Sequence, residues 1–494
     1  MLTKIYPAIS LFFLWLSISS NAYGQNEKLI HSKKLQKDFK EFTAFLEAHP
    51  DPYTHISESE FTLKLKEVEA SLDKPHSTLG FYKKISSLVA LIRDGHSSVY
   101  FPKFWMENKK KELGCFPYEL HFTNDNEIYV LKNYNNGIIN PSSKIIAING
   151  ISVDSFLNVI DPYISYEKQI FRNTIIDDNI DKYLYLAFDQ SHDLKIKYVL
   201  SDTLVTVVPN MSFKEWKKFQ KNDREEKEKQ IARGEPYDYK KVKDGIGLIH
   251  IYGFFTPDIT AYNIFLNKTF KQIKKDSIHS LIIDIRGNYG GWPKIASELF
   301  HYISDGYFKT MASSNMKVSY PYKEYFYTRI PALRQNPQLS IPQRRHFLDI
   351  GAILNNAAGT FVKEEAFFNE EPIEETYEFS GDVYVLTDRD SYSAASSFAS
   401  TFQCYSMGII VGEETGGTKI FRANPIAKLL SKSGIGVRLS TTRLHTACAI
   451  EEFQGIIPHI KYSPNILQLV SDIDSHLYYT IRVIREVRKK RERP

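Results

Sequence analysis

The chain has 494 residues, 43% hydrophobic and 14% aromatic, which supplies more than one buried core and excludes a disordered chain. Its 63 basic and 58 acidic side chains leave a net charge of only +5, a balance that does not suggest nucleic-acid binding. Three cysteines without a C-x-x-C pair, and no H-E-x-x-H or Cys/His cluster, imply at most one disulfide and no metal site.

Taken from the start, "MLTKIYPAISLFFLWLSISSNAYGQNEK" places a positive Lys4 before a short apolar run, Ile9 to Ile18. Small residues follow at Ala22 and Gly24, so a secretory signal over 1–24, cleaved after Gly24, is the expectation. The alternative is an uncleaved anchor, but the run is short for a membrane span and no later stretch reaches that length. No cysteine follows that would carry a lipoprotein anchor. An exported chain with so few cysteines suits a bacterial periplasm.

Residues 25–108 carry helix-period segments and predict a helical N-terminal domain. In "LQKDFKEFTAFLEAHP", Leu35, Phe39, Phe42 and Phe45 recur at three and four, and Pro50 breaks the pattern. Residues 109–209 read as a β-rich domain, with "EIYVLKNY", "SKIIAING", "LKIKYVL" and "TLVTVVP" between turn residues. The run 210–245, dense in both charge signs, reads as a solvated helix or linker. Over 246–470 strands and helices alternate, which predicts an α/β layer with a largely parallel sheet. Residues 306–376 interrupt that alternation as an insertion, either a lid or surface decoration. Over 471–494 a basic helix is expected, its "REVRKKRERP" end a solvated tail.

Four stretches carry candidate chemistry. In "TDRDSYSAASSFAS" a buried strand ends at Leu386 and a helix begins near Ser393. A serine there lies at the positive end of the helix dipole, beside N–H groups able to hold an oxyanion. The plainer reading makes Ser391 or Ser393 a helix cap. In "SLIIDIRGNYGGW", Gly290 and Gly291 allow close backbone approach, or simply a tight turn, with Asp284 and Arg286 pairing beside it. "LIRDGHSSVY" offers His96, one histidine of fourteen. "GEETGGTKI" misses the phosphate-loop pattern by one position, because Thr418 stands where its lysine belongs.

Together these segments resemble the tail-specific (C-terminal-processing) protease family, in its tricorn-like branch. "DIRGNYGG" resembles the family's aspartate–leucine–arginine–x–asparagine–glycine–glycine loop, and "DSYSAASSFAS" its nucleophile segment. "IIVGEETGG" is similar to the strand and turn that follow; "DGHSSV" is similar to the branch's histidine motif. "IEEFQGIIPH" resembles the glutamate stretch near the C-terminus, "HPDPYTH" a segment of the helical domain, and "GIINPSSKIIAINGISV" the core of a PDZ domain. The resemblance implies a crotonase/ClpP-like α/β catalytic domain behind a helical N-terminal domain and a β-rich PDZ-like domain. It implies Ser393 as nucleophile, His96 as base and Glu452 accepting from the His96 ring directly or through another polar group. The amides of Tyr289, Gly290 and Ala394 would then form the oxyanion hole.

Four positions depart from the pattern: Tyr289 replaces a glycine, Gly95 a polar residue of some relatives, His459 an aspartate and Thr418 the lysine base of the other branch. Lys419 lies one residue late, which in an extended segment turns its side chain to the opposite face. A lysine base also needs a lowered pKa, whereas histidine accepts a proton near neutrality unaided. The expectation is an exported serine endopeptidase acting on peptides or protein tails, with no cofactor, metal, nucleic acid or integral membrane segment. The alternatives are a Ser–Lys dyad using Lys419, or an inactive peptide-binding envelope protein.

Overall fold

The computed structural model describes residues 29–134, 137–188, 193–222, 236–256, 259–304, 308–334, 341–368, 378–471 and 473–491. The expected signal over 1–24 and residues 223–235 of the charged run lie outside them.

The catalytic layer is a six-stranded sheet in the order Ile460–Lys461, Ile409–Gly412, Asp382–Thr387, Ser280–Asp284, Ile246–Ile251, Tyr237–Lys241. All neighbours run parallel except the last, which pairs antiparallel at the edge. The continuous apolar runs follow from burial on both faces. Leu281 and Ile283 pack with Tyr262, Leu266 and Phe270 of helix Ile259–Lys275 and Phe398 of helix Ala394–Cys404. Ile282, between them, faces the other way with Ile481 and Ile484 of helix Ser475–Arg491. Such period-two alternation is what a strand between two helix layers requires.

The basic C-terminal helix is not simply a solvated tail. Arg485 holds the Asp244 carboxylate, Arg488 donates to the Ser280 hydroxyl at 2.9 Å and Arg491 pairs with Asp382 at 2.8 Å. These cations fasten the helix across the starts of the central strands. The charged run 210–245 contributes helix Phe213–Asn222 and the edge strand Tyr237–Lys241. The interruption at 306–376 is likewise more than decoration: strand Lys309–Lys317 lies inside a four-stranded sheet, between Phe361–Phe368 and Thr442–Thr446.

The N-terminal part begins with helices Ser32–Leu46, Glu58–Ser71 and Thr78–Ala90. Leu35, Phe39, Phe42 and Phe45 are all buried, and the first helix stops four residues before Pro50. The β-rich part is a sheet ordered Tyr118–Phe122, Ile128–Asn133, Lys144–Ile148, Asp193–Val199, Thr203–Pro209. One continuous core joins these layers to Ile426, Ile435, Val437 and Leu439 of the catalytic half. A short strand, Ser98–Tyr100, pairs antiparallel with Gly436–Leu439, Ser98 opposite Arg438. That pairing ties the segment just after His96 to a separate three-stranded sheet, completed by Ile426–Leu429.

Candidate active site

Ser393 stands at the junction of strand Asp382–Thr387 and helix Ala394–Cys404, with φ 54° and ψ −118°. A non-glycine residue in that region is strained and persists only where its surroundings enforce it. Here the Tyr392 N–H donates to the Asn288 carbonyl at 3.0 Å, and the Ser397 N–H and Ser396 hydroxyl donate to the Ser393 carbonyl. The Ser393 side chain does not cap its helix. Its Oγ lies 3.0 Å from His96 Nε2. Ser391 is structural, donating to the Ile285 carbonyl and accepting from the Asp388 N–H.

The loop over the strand Ser280–Asp284 is locked from both sides. Asn288 is fully buried, donates to the Ile251 carbonyl and accepts from the Gly290 N–H at 2.8 Å. Asp388 accepts from the Gly287 N–H through both oxygens. Arg286 makes paired bonds to Asp284 and to Asp474, so this pair fastens the C-terminal segment. The Gly290 amide is therefore engaged by Asn288, which corrects its expected role as an oxyanion donor. Its contribution is steric: a Cβ at Gly290 would lie 2.7 Å from the Ala394 nitrogen and the Ser393 Cβ. The Ala394 N–H, first of its helix, has no acceptor among the described residues. Tyr289 turns its hydroxyl away to Asp178, at 2.7 Å.

His96 arrives from the N-terminal part on a loop organised by Asp94. That carboxylate is fully buried and accepts from the His96 N–H at 2.9 Å, the Ser440 hydroxyl at 2.7 Å and the Ser97 hydroxyl. His49 Nε2 is 3.2 Å away, and Ser165 closes the loop by bonding the Asp94 backbone. The His96 ring packs between Tyr392 and Phe421. Burial pushes its pKa down to about 4, with Asp94 opposing the shift and Arg438 adding to it.

The second ring nitrogen meets a residue the sequence reading missed. His96 Nδ1 lies 3.0 Å from the Tyr392 hydroxyl, which in turn sits 3.3 Å from both oxygens of Glu167. Phe171 stacks flat on Tyr392 at 3.7 Å. Gly95 makes this cluster possible, because a Cβ there would fall 2.5 Å from the Tyr392 hydroxyl and 2.7 Å from Glu167. The glycine that departs from some relatives thus opens the space the tyrosine fills. Burial raises the Glu167 pKa to about 8, with Asp94 contributing. Asp94, His96 and Glu167 each offer a ligand atom within 4.8 Å, but Tyr392 bridges two of them, the arrangement of a proton relay.

Glu452 is elsewhere, and the expected contact with the His96 ring is not made. Its carboxylate lies 2.9 Å from Arg443 and 2.8 Å from Arg422, the latter too poorly aligned for a hydrogen bond. Arg422, 2% exposed, also makes a paired bond to Asp51 of the "HPDPYTH" segment. Lys419 donates to Gln454 Oε1 at 3.1 Å and makes no bond to Ser393. His459 accepts from the Ile410 N–H through Nδ1 at 2.9 Å, doing with a ring nitrogen what an aspartate oxygen could do. Cys404 and Cys448 form a disulfide from the end of the serine helix, and Cys115 is free and buried.

Comparison with known proteins agrees with this architecture. Residues 245–462 match the model of peptidase family S41. The chain is similar in structure to mature CPAF complexed with lactacystin, at 13% identity and a TM-score of 0.61, over 92% of this chain and 98% of that one. A second mature CPAF structure aligns equally, at 13% identity and 0.61, over 91% and 97%. A looser likeness, TM-score 0.44 and 13% identity, is to the photosystem II D1 C-terminal processing protease, over 89% and 98%. No curated protein matches the sequence. The sheet, its serine turn and the family match define a serine-type peptidase. Its residues 245–462 are a peptidase family S41 domain, the domain of the tail-specific proteases.

Proposed function

We propose that the chain is an exported serine endopeptidase in which Ser393 is the nucleophile and His96 its base, as in the tricorn-like branch. The observation that carries this reading is the 3.0 Å contact between Ser393 Oγ and His96 Nε2, with the serine held in a strained turn. His96 is neutral above about pH 4, so Nε2 is free to take the serine proton. Oγ then attacks the scissile carbonyl carbon, and the Ala394 N–H supports the oxyanion. The imidazolium returns its proton to the leaving amine. Water, deprotonated by the same nitrogen, releases the acyl group.

Tyr392 and Glu167 select the tautomer in this mechanism. For Nε2 to accept, Nδ1 must carry the proton and donate to the Tyr392 oxygen. That leaves the phenol proton to be donated to the Glu167 carboxylate. A protonated Glu167 frees the phenol to donate to Nδ1 instead, which places the ring proton on Nε2, where it cannot act as base. Asp94, 3.9 Å from Nδ1, favours the imidazolium that forms.

Fluorophosphonate labelling tests the assignment. Labelling at Ser393 is expected to be abolished by His96→Ala and spared by Lys419→Ala, and the reverse pattern would overturn it in favour of a lysine dyad. The signal-like start and the paucity of cysteines support export to a periplasm, checked by fractionation and N-terminal sequencing of the mature chain. We read 109–209 as a PDZ-like module for peptide segments, with Thr203–Pro209 the exposed edge strand of its sheet.

A further inference from the structure

The "HPDPYTH" segment, residues 49–55, lies outside the matched peptidase domain 245–462, as does His96 itself. Its first residue, His49, is fully buried. The turn that ends helix Ser32–Leu46 carries it, with the His49 N–H donating to the Leu46 carbonyl at 3.1 Å. From the other side Lys317, at the end of strand Lys309–Lys317, donates to the His49 carbonyl at 2.9 Å. Pro50 and Pro52 have no N–H, so the Asp51 N–H is the single backbone donor over 50–52. It donates to His49 Nδ1 at 3.3 Å. A ring nitrogen that accepts carries no proton, which places the His49 proton on Nε2. Nε2 lies 3.2 Å from Asp94 Oδ2 and donates to it.

Asp94 Oδ2 therefore takes three donors: His49 from the helical part, Ser97 from the catalytic loop and Ser440 from the catalytic half. Oδ1 takes the His96 N–H at 2.9 Å and faces His96 Nδ1 at 3.9 Å. The Cβ–Cγ torsion of an aspartate is soft, so the donors on Oδ2 decide where Oδ1 points. Burial would raise the Asp94 carboxyl, but contact with His49, then His96 and Ser97, holds it below its ordinary value. Asp51 and Thr54 of the same segment bind Arg422, next to Phe421, whose ring stacks on His96 at 5.7 Å. One segment thus bears on the base twice, through Asp94 on its backbone and through Phe421 on its ring.

We infer that His49 is a positioning residue for the reaction: by holding Asp94 through its Nε2–H, it sets the angle at which His96 Nε2 meets Ser393 Oγ. It touches neither substrate nor reacting atoms. Without its donor, Asp94 Oδ2 is left to two hydroxyls that rotate, and the His96 loop is no longer tied to the helical part through Asp94. The inference rests on the reading of Ser393 and His96 as the reacting pair.

Asparagine and glutamine separate the two ring nitrogens. The amide of His49→Asn stands near the place of Nδ1 and cannot reach Asp94, whereas that of His49→Gln stands near the place of Nε2 and can. In the full chain, fluorophosphonate labelling gives two readouts: its final extent counts competent sites, and its rate constant reports how well Ser393 is activated. His49→Asn should lower the rate constant and the kcat per competent site roughly ten-fold or more, with KM within about two-fold. His49→Gln should recover both to within about three-fold of wild type. A merely structural role would lower the extent and leave the rate per competent site unchanged. That result, or an equal loss in the two variants, would overturn the inference. Two-bond ¹H–¹⁵N spectra of histidine-labelled, full-length Ser393→Ala protein judge it even where His49→Asn does not fold: at His49 the proton is expected on Nε2, and a proton on Nδ1 would overturn the inference. Labelling of Ser393 in the wild type, and its loss in His96→Ala, judge the reacting pair separately, so the two readings can fail independently.

Discussion

The two halves of the site are held in opposite ways. The serine half hangs on backbone: Tyr392 and Ser393 are fixed by the Asn288 carbonyl, the Ser397 N–H and the ends of parallel strands. The histidine half hangs on side chains. Asp94 is gripped by His49, Ser97 and Ser440, and Arg422 ties Asp51 to the sheet that carries Phe421. A turn built from strand ends follows from the sheet itself. A loop built from buried side-chain bonds exists only when separate layers have docked, so the base half is the one that single substitutions can dislodge.

The largest effect tests the serine half. Ser393→Ala should lower peptide turnover on the order of 10⁶-fold while leaving the melting temperature nearly unchanged. Comparable turnover by the variant would show that another nucleophile acts. Arg422→Met tests the histidine half through stability: it removes the more buried of the two cations that Asp51 and Glu452 share, Arg443 remaining, and should cost about 1.5–3 kcal/mol in denaturant unfolding. An unchanged midpoint would mean that the ion-pair cluster does not hold the layers together.

Smaller effects sharpen the boundary between the halves, where Tyr392 touches both. Tyr392→Phe removes the acceptor of the Nδ1 proton and should lower kcat by roughly 10²-fold with little change in KM. Glu167 bears on pH dependence. Its folded pKa is about 8, so the carboxylate that the relay needs is present above that value and lost below it. Activity should therefore rise with pH through about 8, not through the lower value of His96. Glu167→Gln keeps an acceptor that does not titrate, so its pH–rate profile should lose that step; an unchanged profile would remove Glu167 from the relay. The smallest effect is expected at Lys419→Ala, within about two-fold of wild-type activity, because its ammonium is on Gln454.

Much of the architecture was legible in the chain. Apolar runs such as "SLIID" marked strands covered on both faces, and the three-and-four spacing of Leu35, Phe39, Phe42 and Phe45 marked a buried helix face. Both patterns record local geometry, which depends only on neighbours in sequence. The "DGHSSV" and "DSYSAASS" segments supplied His96 and Ser393, which stand 3.0 Å apart across 297 positions.

What only the tertiary structure decided is the company these residues keep. Tyr392 was in plain view beside Ser393, but nothing in "YISYEKQ" marked Glu167, 225 positions away, as its partner. Glu452 looked like the orienting carboxylate until Arg422 and Arg443 proved to surround it. Gly95 looked like a lost polar group until the space its missing Cβ leaves proved to hold a phenol. The reason is physical. Periodicity and capping are fixed by bonds a few residues long, whereas a buried polar contact is fixed by which layers dock and in what register, and a charged side chain pairs with whatever that docking brings within reach.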